Sequence, residues 1–203
     1  KGHSACALYV TLWTRGLISE ETLATFALDG TKLPGHPSGS AIPGLLFPTG
    51  SLGHGFSLSC GLAVARKYRN STGNIFCMCS DGEWQEGSCW EALIFAVRRK
   101  LDNLTVIIDQ NGLQAFGTTG EVASMDDLES KIASFGANVL SVDGHDPDDL
   151  SVGLRSRSEG KPSFVLLRTL KGRGTHFENK VDSHYLPLTK EQYEEACAWR
   201  ESS

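Results

Sequence analysis

Residues 104–109 (LTVIID) and 163–169 (SFVLLRT) are almost unbroken runs of apolar residues. A strand that alternates polar and apolar positions can leave one face to water, whereas strands like these need cover on both faces. Helical patterns surround them. The spacing of apolar residues, caps and turn formers predicts helices over 5–15 and 19–28, the second with Ser19 as N-cap. A Gly-, Pro- and Ser-rich loop follows over 29–53, then a largely buried helix over 56–69 and a buried strand over 74–79. A helix over 86–100 carries Trp90, Leu93, Ile94 and Val97 at helical spacing. After strand 104–109 come a helix over 126–135, a strand over 138–142, a helix over 146–155 and strand 163–169. Such alternation predicts an α/β fold, a parallel sheet with helices on both faces. The 203 residues read as a single domain, 1–203, with 187–203 a C-terminal helical tail.

Charge narrows the function classes. Nineteen Lys+Arg against 24 Asp+Glu give a net charge of −5, which argues against nucleic acid or an anionic membrane as partner. No apolar run approaches the roughly 18 residues of a membrane span. Six cysteines without a CxxC pair, most of them inside apolar stretches, read as buried free thiols. A reducing compartment, and so a cytoplasmic location, is the expectation.

Ligands of parallel α/β sheets sit at the carboxyl ends of the strands. Two turns qualify, Ser80-Asp81-Gly82 and Asp109-Gln110-Asn111-Gly112. One carboxylate and one amide oxygen form a hard donor set suited to Mg²⁺ or Ca²⁺, with phosphate oxygens and water completing the shell. Gly82 would admit a phosphate close to the backbone. The competing reading makes Asp81 a helix cap and Asn111 a left-handed turn residue.

The Asp-Gly pair followed about thirty residues later by Asn resembles the thiamine diphosphate binding motif. Five segments, in order, resemble the N-terminal, diphosphate-binding domain of transketolases: 1–9 around His3, 33–37 around His36, 49–55, 81–87, and 182–188 around His184. The resemblance implies that Asp81, Asn111 and the carbonyl of Leu113 hold the metal. It implies that Gly82 and Glu83 belong to the diphosphate loop, and that Gly50, Ser51, Leu52 and His54 belong to the loop facing the aminopyrimidine. His3 and His184 would lie near the diphosphate and the reacting centre, His36 near the sugar hydroxyls. Glu86 and Glu91 match acidic residues that link two cofactor sites across a dimer.

Departures from the pattern are few. Ser80 stands where a glycine usually opens the diphosphate loop, and is acceptable if its φ is negative. His54 replaces a common Gln, a variant that looks typical of split subunits. Lys171 and Arg173 sit in a loop that is either simply solvated or, through Lys171, adds charge near the diphosphate. His145 reads as a turn residue and His176 as an exposed loop residue.

The 203 residues include no pyrimidine domain, so the resemblance implies a subunit or fragment that acts with a partner subunit carrying the pyrimidine and C-terminal domains, as a dimer or heterotetramer. Transfer of a two-carbon ketol unit between sugar phosphates is the implied reaction. Alternatives are another thiamine diphosphate enzyme, of the 1-deoxyxylulose-phosphate synthase or 2-oxoacid decarboxylase type, and a non-catalytic subunit of the same fold.

Overall fold

The computed structural model describes residues 1–38, 42 and 44–202. They fall into two compact units, Lys1–Gly55 and Phe56–Ser203. The first contains helices α1 (Ala5–Thr14) and α2 (Glu20–Leu23). Ala5, Tyr9, Leu33 and Ile42 form its small core, flanked by Leu8, Leu12, Ile18, Leu23, Phe26 and Leu45. The buried Tyr9 sends its hydroxyl to the Pro34 carbonyl at 2.7 Å, so the helix anchors the loop that leads to His36. Ser19 caps α2 by accepting the Thr22 amide, as expected. The helix expected over 19–28 nevertheless stops at Leu23: the Thr25 and Phe26 amides switch to the Thr22 and Leu23 carbonyls, three residues back, and Ala27 at φ 58° turns the chain away. Of the expected loop 29–53, positions 39–41 and 43 lie outside the described residues.

After α3 (His54–Tyr68) come β1 (Ile75–Ser80), a 3-10 turn (Gly82–Gln85) and α4 (Gly87–Arg98). Next are β2 (Leu104–Gln110), a two-residue hairpin of β3 (Leu113–Gln114) and β4 (Gly117–Thr118), α5 (Thr119–Ala123) and α6 (Leu128–Ser134). The chain continues through β5 (Asn138–Asp143), α7 (Pro147–Arg155), β6 (Ser163–Arg168), a second 3-10 turn (Val181–His184) and α8 (Lys190–Ser202). The large sheet is parallel, in the order β1-β2-β6-β5. Its two middle strands are the two apolar runs, and Leu104, Val106, Ile108, Phe164, Val165 and Leu166 are buried there. Trp84 packs edge-on against Phe164 and Trp90 at the centre of the main core.

Two expected burials need correction. Helix α3 buries only the stripe Phe56, Ser59, Cys60 and Ala63, and leaves Leu58 43% exposed, because it covers the core from one side only. In β1 only Cys77 and Cys79 are buried, while Phe76 and Met78 are 52% and 42% exposed. Phe76 and Met78 alternate with the two cysteines onto the opposite face, which among the described residues is only partly covered at this outer strand. All six cysteines are free thiols, with Cys60, Cys77, Cys79 and Cys89 buried. Burial pushes the Cys60 and Cys89 thiols up to about 12, which makes them unreactive. No helix among the described residues is long and apolar enough to cross a membrane.

Gly153 shows packing overriding propensity. Alanine in a helix interior is worth about 1 kcal/mol over glycine, but a Cβ on Gly153 would sit 2.7 Å from Cγ1 of the buried Val165. Overpacking costs about 1–3 kcal/mol. Gly153→Ala is therefore expected to lower stability by about 1 kcal/mol in urea unfolding with an unchanged m-value, and a stabilised variant would refute the close fit.

Candidate functional site

Strands β1 and β2 run parallel with Ser80 opposite Asp109, and the Asp81 amide extends the ladder to the Asp109 carbonyl at 3.1 Å. The two following turns thus emerge side by side. Asp81 lies between them, only 2% exposed. Its Oδ1 accepts the Gly82 N–H at 2.8 Å and its Oδ2 accepts the Gly112 N–H at 2.6 Å. The structure therefore makes Asp81 both the cap of its own turn and a clamp on the next. Asn111 folds its Oδ1 over the Leu113 N–H at 3.0 Å. The left-handed residue of that turn is Gly112, at φ 75°, not Asn111.

This arrangement brings Asp81, Asn111 and the backbone of Leu113 to one rim, and the donors fit a hard cation. A carboxylate has about four lone-pair directions, so two amide bonds do not exhaust that of Asp81. No three His, Cys, Asp or Glu side chains gather as a metal cage among the described residues. With a single carboxylate, a cation held here would have to draw further oxygens from phosphate and water, as Mg²⁺ does. Gly82 is backed by Gln114, whose Cβ would lie 3.2 Å from a Cβ at that position, so a side chain there would be tight against the hairpin.

Glu83 has a different job. Buried at 5% exposure, it accepts the Ser80 N–H through Oε2 at 2.8 Å, which closes the loop back on the strand. Ser80 ends β1 and is not among the residues with positive φ, so serine is accommodated there. Gln85 pins the same loop to the Thr119 and Ala123 carbonyls.

A third loop joins this rim. Thr169 donates to the Asp109 carboxylate. Two residues later the Lys171 ammonium lies 2.7 Å from Nδ1 of His184, and an ammonium, having no acceptor, can only donate there. Lys171 is thus engaged and not merely solvated, whereas Arg173 is exposed and lies 6.0 Å above the Trp199 ring. Tyr185 reaches back from the His184 segment to the Ala115 carbonyl at 2.7 Å, which ties that segment to the turn carrying Asn111 and Leu113. His176 is exposed, as expected.

In the first unit, His3 and His36 meet edge to face with ring centroids 4.7 Å apart. Gly50, at φ 126°, lies against the His36 ring: an added Cβ would be 3.0 Å from its Cδ2. Gly2 is equally constrained, since its Cβ would fall 2.5 Å from the Gly50 amide nitrogen. His3, His36 and Gly50 are thereby assembled by two close backbone approaches. Ser51 and Leu52 follow directly, and His54 opens α3 with Nδ1 3.0 Å from the Leu52 carbonyl.

Sequence reasoning had no hold on Thr169 or Tyr185. Their partners are 60 and 70 residues away, and neither residue belongs to a periodic pattern.

The chain was compared with known families, curated proteins and solved structures. Residues 1–199 match the family model described as transketolase, thiamine diphosphate binding domain. A 6-deoxy-6-sulfo-D-fructose transketolase subunit, SqwG, from Clostridium sp. (strain MSTE9) is 41% identical over 98% of this chain and 73% of its own length. An apulose-4-phosphate transketolase subunit from Phocaeicola vulgatus is 40% identical over 97% of this chain and 70% of its own. The solved transketolase of Campylobacter jejuni superposes with a TM-score of 0.90 at 32% identity, over 97% of this chain and 32% of its own. The chain thus spans about a third of that solved structure.

Removing the Glu83 carboxylate leaves the Ser80 N–H without its acceptor, a loss of about 1–3 kcal/mol. Glu83→Ala is expected to lose that much in denaturant unfolding without any cofactor, and Glu83→Gln, which keeps an acceptor oxygen, less than half of it. Equal losses in the two variants would remove the loop-closing role.

Proposed function

Because this chain belongs to the transketolase family, as its thiamine diphosphate binding domain, we propose that it is the metal- and diphosphate-binding subunit of a two-chain transketolase-type enzyme. The enzyme would move a two-carbon ketol unit between sugar phosphates or close analogues. Two relatives at about 40% identity carry the word subunit in their names, which supports a partner subunit with the pyrimidine and C-terminal domains. The observation that carries the reading is the Asp81 carboxylate spanning two strand-end turns to Gly112.

In this reading Asp81, Asn111 and the Leu113 carbonyl hold Mg²⁺, or Ca²⁺ by the same oxygen chemistry. Gly82 brings backbone to the diphosphate, and Glu83 keeps that loop shut. Lys171 contributes positive charge toward the diphosphate, delivered through its bond to His184. Gly50, Ser51, Leu52 and His54 present the surface for the aminopyrimidine. Thiamine diphosphate, when bound, supplies the stabilised carbanion that no side chain can provide. The protein's part is to orient the sugar and manage its protons. His3, His36 and His184 are suited to this, since an imidazole exchanges a proton with a hydroxyl near neutral pH.

Association is supported by the outer face of α4, where Glu91 is exposed beside Ile94 and Phe95 at 54% and 41% exposure. Glu86, also exposed, precedes the same helix. These residues are assigned to the contact between subunits in a dimer or heterotetramer. Six free thiols fit a cytoplasmic location.

Asp81→Ala and Asn111→Ala are each expected to abolish Mg²⁺-dependent retention of thiamine diphosphate by the assembled enzyme, with the far-UV circular dichroism preserved. Full cofactor occupancy in either variant would sink the metal assignment. His36→Ala is expected to reduce kcat/KM by about two orders of magnitude, the usual contribution of a positioned acid–base group, with cofactor affinity nearly unchanged. An unaltered kcat/KM with every sugar phosphate tested would contradict its role.

A further inference from the structure

We propose that His145 is a positioning residue: its Nε2 holds the Leu170 amide and thereby sets the place of Lys171 and its partner His184. The inference rests on the reading above, in which Lys171 serves the diphosphate.

β6 ends at Arg168, opposite Asp143 at the end of β5. The Thr169 amide still finds the Gln110 carbonyl, at 3.3 Å. Leu170 lies beyond the last paired residue and is exposed, so its N–H could be left to water, yet a side chain takes it. Nε2 of His145 is the acceptor, at 2.8 Å. The imidazole stands in for the carbonyl that a longer β5 would have offered. To accept there, the ring must be neutral with its proton on Nδ1.

The histidine is built into place. Gly144 donates to the Arg168 carbonyl at 2.9 Å. An added Cβ at Gly144 would come within 2.4 Å of Thr169 Cγ2 and 2.9 Å of Leu167 Cβ, so the turn is pressed onto the end of β6 as only glycine allows. Asp143 accepts the His145 N–H at 2.8 Å. Asp149 accepts the Asp143 N–H at 3.0 Å, and Asp146 caps α7 through the Asp148 and Asp149 amides. With its backbone fixed on both sides, His145 has a defined reach.

Beyond Leu170 the loop closes on itself. The Lys171 carbonyl accepts the Asn179 N–H at 2.8 Å, and Gly172 accepts from both the amide and the hydroxyl of Thr175. The Leu170 bond is therefore the hinge pin between the sheet and a compact loop. If it is lost, the loop can shift as a body and take the Lys171 ammonium with it.

The test compares His145→Gln, His145→Asn and His145→Ala in the full chain assembled with its partner subunit. Glutamine places an oxygen near the Nε2 position; asparagine is too short. Hydrogen exchange over residues 169–172 and the Kd for thiamine diphosphate with Mg²⁺ are measured, with Lys171→Met as reference. The expected result is faster exchange and a Kd raised about threefold to tenfold in the Asn and Ala variants, the loss of one ordinary hydrogen bond, and recovery of both in the Gln variant. Unchanged exchange in the Ala variant overturns the tether, as does a Gln variant that behaves like Ala. Faster exchange with an unchanged Kd overturns the positioning role. Lys171→Met then says where the fault lies: a raised Kd keeps Lys171 at the diphosphate, and an unchanged one removes it.

Discussion

Six consecutive residue pairs hold β1 against β2, from Ile75 with Leu104 to Ser80 with Asp109. Because the pairing is parallel, both strands leave the sheet on the same rim, and their turns come out as neighbours. The Asp81 carboxylate can bridge to Gly112 only in this register. A slip of one residue would move the carboxylate by about 3.3 Å and turn it to the opposite face. What prevents the slip is the apolar content of the strands. Cys77 and Cys79 from β1 and Val106 and Ile108 from β2 share one buried core, so the hydrophobic energy of the sheet and the geometry of the site are a single constraint.

The loops then attach to this rim by polar bonds of long reach. Thr169 to Asp109, Tyr185 to Ala115 and His145 to Leu170 each link segments at least 25 residues apart. None of these bonds is worth much by itself in water. Their value lies in fixing where Lys171 and His184 stand, since a site that must orient charges gains from partners already held in place. Glycines complete the scheme where a side chain would collide or strain the backbone, at Gly144 in one unit and at Gly2 and Gly50 in the other.

The strands and their parallel arrangement were legible because unbroken apolar runs separated by helical periods have few other solutions. The two strand-end turns could be located for the same reason. The hairpin Leu113–Gln114 with Gly117–Thr118 was not, since two-residue strands are too short to show a period. The exposure of Phe76 and Met78 was hidden because an outer strand and an inner one can have the same composition; only the strand order separates them. Asn111 was weighed as a left-handed residue when its neighbour Gly112 takes that conformation, which follows once Asp81 is known to claim the Gly112 amide. His145 looked like a turn residue and is one, but its acceptor role depends on Leu170, which local sequence cannot bring near.

The outer strand has a practical side. β1 leaves its far edge unpaired among the described residues, and on the adjoining face Phe76 and Met78 stand exposed, with the Arg157 guanidinium 5.4 Å from the Phe76 ring. Such an edge is a template for another strand. An open edge beside exposed apolar side chains invites strand-to-strand association, so whatever covers it serves solubility as well as shape.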